Sequence, residues 1–109
     1  MSIGAYCDHF HQHVHSRDNV DNTLAYRWGL ESLAGAPMAW LANELAEPWL
    51  RLIEIPTAKP VDPFMHSGWF SLEISVLDTD ALYEGLDKSP FKVIGEPANL
   101  ELSDNIRAM

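Results

Sequence analysis

Cysteine is almost absent: Cys7 is the only one in 109 residues, so no internal disulfide framework and no Cys-x-x-Cys pair can form. Cys7 also has no basic neighbour in sequence, which argues against a nucleophilic role. Basic residues are scarce as well. Seven Lys and Arg stand against sixteen Asp and Glu, a formal net charge of −9. A field of that sign repels phosphate backbones and anionic lipid, which excludes nucleic acid and membrane as expected partners. No apolar run reaches 18 residues, no basic region followed by a long apolar stretch opens the chain, and no Gly-rich phosphate loop occurs. A soluble, cytoplasmic protein is the default expectation.

The hydrophobic fraction of 47% supports a globular chain, and its length suits one domain spanning residues 1–109. The segment at 68–83, GWFSLEISVLDTDALY, organises the rest. Phe70, Leu72, Ile74 and Val76 recur every second residue, as on one face of a strand, with Trp69, Ser71, Glu73 and Ser75 on the other. Asp78 then suits a helix N-cap and Asp80 its first turn, while Leu82 and Leu86 fall on a common helical face.

A similar plan is expected earlier. The run Asp8-His9-Phe10-His11-Gln12-His13-Val14-His15-Ser16 reads as a strand with four histidines on one face, after a loose lead-in through Cys7. Asp18 follows as a cap, and Val20, Leu24 and Trp28 repeat at a helical spacing. Asp18 and Asp78 lie 60 residues apart, which suggests a weak internal repeat. The first helix is expected to fade between Gly29 and Gly35. Residues 38–43 and 49–55 read as a hairpin, and Pro56, Pro60 and Pro63 make 56–67 a connector. After the second helix, residues 91–94 read as a short strand, Gly95-Glu96-Pro97 as a turn, and 100–102 with 106–109 as further strand material.

The order strand, helix, strands, connector, strand, helix, strands resembles the vicinal oxygen chelate superfamily, which includes glyoxalase I, bleomycin-resistance proteins and extradiol dioxygenases. The likeness rests on RDNVDNTLAYRWGL at 17–30, WLRLIEIP at 49–56, and residues 68–83 with Gly95-Glu96-Pro97. It implies an α+β fold of paired βαβββ modules forming a curved mixed sheet. Module one covers about 8–56 and module two 68–109, with the second module short of its last strand. An unpaired edge there invites another chain, so a homodimer that completes the cup is expected.

The resemblance implies isomerase, lyase or ring-cleavage chemistry on a small organic molecule, assisted by a divalent metal (Zn, Fe, Mn, Ni or Co). Non-catalytic binding or sequestration of a small molecule without metal is the alternative. His11, seven residues before Asp18, matches the family's first ligand and would act as ligand or base. Arg51 falls where a ligand glutamate belongs, with Glu54 as the strand-end acid, and Ser71 falls where a second histidine belongs. In a cup, Arg51 would hold a carboxylate or enolate oxygen, or else pair with Glu54 or Glu73.

The histidine run adds its own argument, since alternating imidazoles on a strand project together and can share an ion or move protons. The metal candidates are therefore His11, His13 and Glu54, with a solvated polar strand face as the plain alternative. Trp40 and Trp69, with Glu73, are the expected pocket lining, although tryptophan at such positions is more often core.

Overall fold

A computed structural model describes residues 3–59, 65, 67, 72–101 and 103–109. Among these residues three α-helices, one short 3₁₀ turn and five strands follow one another in a mixed α+β arrangement. They are α1 (Ile3–Phe10), β1 (His13–Asn19), α2 (Asn22–Arg27), the 3₁₀ turn Glu31–Leu33, β2 (Pro37–Ala42), β3 (Pro48–Ile53), α3 (Thr79–Leu86), β4 (Ala98–Leu100) and β5 (Ser103–Ala108). Among the described residues β1, β2 and β3 form an antiparallel sheet in that order, and β4 and β5 form a separate antiparallel pair. The strands expected to form one curved mixed sheet thus fall, among the described residues, into two antiparallel sheets. Among the described residues two strands follow each capped helix.

Burial is concentrated on the first sheet and the helix beside it. Leu41 and Ala42 are fully buried, with Ala39, Val20 and Ala25 close behind. The β2–β3 hairpin forms where the sequence suggested it. Asn43 closes the loop by accepting at its Oδ1 from the backbone N–H groups of Leu45 and Glu47, each at 3.0 Å, a side chain standing in for a turn carbonyl.

The first cap moves by one turn. Asp21, not Asp18, accepts the Leu24 N–H at 2.7 Å, and Asp18 lies within β1. Asp78 does what was expected and accepts the Ala81 N–H at 3.0 Å. Both aspartates accept from the third residue of their helix, satisfying one of the four N–H groups a helix start leaves open. Helix α2 stops at Arg27, with Gly29 in a left-handed conformation (φ 66°) just past the cap, where a Cβ would be disfavoured.

Three strand expectations do not hold. Residues 3–10 are helix rather than lead-in and strand, because Tyr6 and Phe10, one turn apart, both pack on Phe91 with ring centroids 5.7 and 5.1 Å away. Phe91 is accordingly a packing residue in a segment without regular structure. Residues 72–76 also form no strand, and Leu72 and Val76 are exposed. Alternation marks a segment with two faces, but a strand also needs a neighbour to accept its backbone hydrogen bonds, and none of the described strands pairs with it. The expectations for Trp69, Phe70 and Ser71, and for Pro60 and Pro63 of the connector, fall outside the described residues.

The second pair of strands is tied to α3 by one arginine. Arg107 of β5 donates from Nε and Nη2 to the two carboxylate oxygens of Asp80 at 2.6 and 2.8 Å, and from Nη1 to Asn99 Oδ1 at 3.1 Å. The Arg107 hydrogen bonds hold the Asp80 carboxyl below its ordinary value. Among the described residues no helix is long and apolar enough to cross a membrane.

Candidate functional site

Residues opposite one another in an antiparallel ladder share a face, so the register sorts the side chains of the first sheet. Trp40 lies opposite Arg51 on β3 and Ser16 on β1, and Met38 lies opposite Ile53 and Asp18. These six residues make one face. Leu41 and Ala39, with Leu50 and Leu52 of β3 and Val14 and Arg17 of β1, make the other, which apart from Arg17 is apolar.

On the first face the Arg51 Cζ lies 4.2 Å from the centroid of the Trp40 ring and 5.3 Å from that of Trp28, the C-cap residue of α2. Each ring presents its negative π face to a guanidinium, which is worth about 0.5–2 kcal/mol per contact depending on desolvation. Arg51 Nε is buried and has no hydrogen-bond partner. The Nη groups have no acceptor among the described residues, yet they are not among the buried unpaired atoms, so they are open to solvent. Arg51 is thus held by two indoles and, among the described residues, paired with no carboxylate, which leaves its Nη donors able to take an anionic oxygen. The alternative reading of Arg51, a salt bridge with Glu54 or Glu73, is not formed. Glu54 is exposed just beyond β3, its N–H bonded to the Pro37 carbonyl, and Glu73 is exposed in the irregular segment before α3.

The four histidines do not share a face. His9 is in α1 against Phe91, and His11 is in the loop before β1 with a left-handed backbone (φ 52°). His13 opens β1, and His15 is the extra residue of a β-bulge, since Val14 pairs with Leu41 and Ser16 with the adjacent Trp40. The bulge puts His13, opposite Ala42, on the face of Trp40 and Arg51. The spacing argument for His11 also loses its reference, because the helix is capped by Asp21.

His11, His13 and Glu54 do not fit one metal ion. His13 lies opposite Ala42 at one end of β2 and Glu54 beside Pro37 at the other, roughly 17 Å away along the strand. Among the described residues no three His, Cys, Asp or Glu side chains converge on a point. A depression of about 160 Å³ between Leu86, Val93, Ile94 and Met109 contains none of the candidate site residues read from the sequence.

Sequence reasoning singled out Arg51 and Trp40, which the structure brings together, and missed Trp28. Trp28 repeats with Val20 and Leu24 at a helical spacing and so reads as core. Its position directly before Gly29, where α2 ends and the chain turns, is the only signal that it was free to lean elsewhere. Compared with known proteins, the chain matches no family model, no curated protein and no solved structure.

Proposed function

We propose that the chain is a small-molecule-binding protein on the vicinal oxygen chelate plan, with two related modules, and that it takes a small organic molecule bearing an anionic oxygen at the Trp40–Arg51 face. The observation that carries this reading is the unpaired Arg51 guanidinium beside Trp28 and Trp40. Binding or sequestration needs only such an anchor and an aromatic wall. Metal-assisted isomerase, lyase or ring-cleavage chemistry has less support, because the histidines and Glu54 named for it lie apart.

A second reading draws on His13. It shares the Arg51 face at a Cα separation of about 12 Å, two strands over and two residues along, so a bound molecule held by Arg51 would extend toward an imidazole able to accept a proton. We also propose a homodimer, since β1 and β3 are the edges of the first sheet among the described residues.

Titration of purified protein with small aromatic acids, followed by tryptophan fluorescence, alongside metal analysis of the wild type and of His11→Ala and His13→Ala, tests the reading. Saturable binding by metal-free protein is expected. Stoichiometric metal that disappears in either variant would overturn it in favour of the metal enzyme. Light scattering at two protein concentrations reads the dimer.

A further inference from the structure

The way Arg51 is held restricts what it can hold. An arginine can grip a planar anion side-on, through Nε and one Nη, or end-on, through both Nη groups. Here Nε is shielded from water, so an incoming oxygen cannot reach it while Trp28 and Trp40 stay where they are. The side-on mode is closed. The Nη pair remains open, and its two outer N–H donors point in parallel, at the spacing of the two oxygens of a carboxylate.

Two further features narrow the class. The formal charge of −9 disfavours every additional negative charge on a ligand, so a monoanion is admitted more readily than a phosphate dianion. The near surroundings of Arg51 on its face are Trp40, Trp28, Met38 and Ile53, all partly buried, which offer apolar and aromatic contact to whatever is attached to the anion. The exposed Ser16 and Asp18 of β1 lie at the far side of the face, where the Asp18 carboxylate adds to the penalty on a second negative charge.

We infer that the Arg51 site recognises the carboxylate of a planar, aromatic or conjugated monocarboxylic acid end-on, with Trp28 and Trp40 fixing the guanidinium so that only this approach is open. The inference rests on the reading of Arg51 as the ligand anchor, and it adds the ligand class and the mode of approach. Trp28 is then a positioning residue. It acts on the ligand through Arg51.

Isothermal titration with benzoate, 1-naphthoate, benzamide and phenyl phosphate separates the possibilities. The expected result is that the two carboxylates bind about tenfold or more tightly than benzamide and phenyl phosphate, that Arg51→Lys loses about tenfold because an ammonium has no parallel donor pair, and that Arg51→Gln loses more. Trp28→Leu frees Nε, so it should narrow the preference for benzoate over phenyl phosphate while leaving binding dependent on Arg51. If phenyl phosphate binds as well as benzoate, and both need Arg51, the anchor stands and the carboxylate class is overturned. If benzamide equals benzoate and Arg51→Gln changes neither, or if neither carboxylate binds at millimolar concentration, both the class and the anchor fall. The comparison among ligands uses wild-type protein, so it stands even if a variant folds poorly.

Discussion

Arg51 and Trp40 are direct cross-strand partners, and the guanidinium carbon of one lies 4.2 Å from the ring centre of the other. The pair links stability to recognition, because Trp40 is both a wall of the sheet face and the support for the charge. The two roles separate by substitution. Arg51→Met keeps the aliphatic stem and removes a buried donor that has no partner, so urea unfolding should show stability within about 1 kcal/mol of wild type. Trp40→Ala should cost about 2–3 kcal/mol, less than a fully buried tryptophan would. Both variants should lose affinity for an anionic ligand.

The Asp80–Arg107 pair gives stability a defined pH dependence. Asp80 has a lowered folded-state pKa, so its contribution is present above the unfolded aspartate value of about 3.9 and is lost as pH falls through the lower folded value. Thermal unfolding from pH 7 down to pH 2 should therefore show the advantage of wild type over Asp80→Asn shrinking at the acid end. Both members are exposed, so the advantage should also shrink with added salt. An Asp80→Asn curve parallel to wild type throughout would remove Asp80 from the account.

Phe91 holds α1 to the C-terminal half through Tyr6, His9 and Phe10. Phe91→Ala should release that helix while leaving the first sheet in place. Hydrogen exchange would then show the amides of Ile3–Phe10 losing protection and those of β2 keeping it. Equal loss in both would mean that α1 and the sheet unfold as one unit.

Two glycines in open surroundings should respond with opposite signs. Neither Gly29 nor Gly85 has an atom within 4 Å of an added Cβ, so only the backbone decides. Gly29→Ala should destabilise by about 1 kcal/mol, because its φ of 66° is left-handed. Gly85→Ala, inside α3, should stabilise by about 0.5–1 kcal/mol. Chemical denaturation of the two variants side by side checks both signs.

The legible parts of the sequence were those whose cause is local. The Asp78 cap, the stop near Gly29 and the hairpin around Asn43 each depend on residues within a few positions. Arg51 and Trp40 could be named singly because their chemistry is intrinsic, but their pairing depends on a strand register that no local pattern encodes. Helix α1 was hidden for a related reason. The histidine alternation that starts at its His9 runs on into β1 and makes the helix end look like strand, and the contact that decides otherwise comes from Phe91, some eighty residues away. Residues 72–76 show the converse, an alternation without a pairing partner among the described strands.

The bulge at His15 makes β1 one residue longer than its partner requires, so the strand runs in two phases joined at that point. A deletion of His15 should close the ladder and leave each remaining side chain of β1 opposite the residue it meets now. Deleting Ser16 instead would put His15 in its place opposite Trp40, and deleting Arg17 would in addition move Ser16 opposite Ala39, onto the other side of the sheet. The strand thus has one position at which its length can change without rewriting which side chains accompany Arg51.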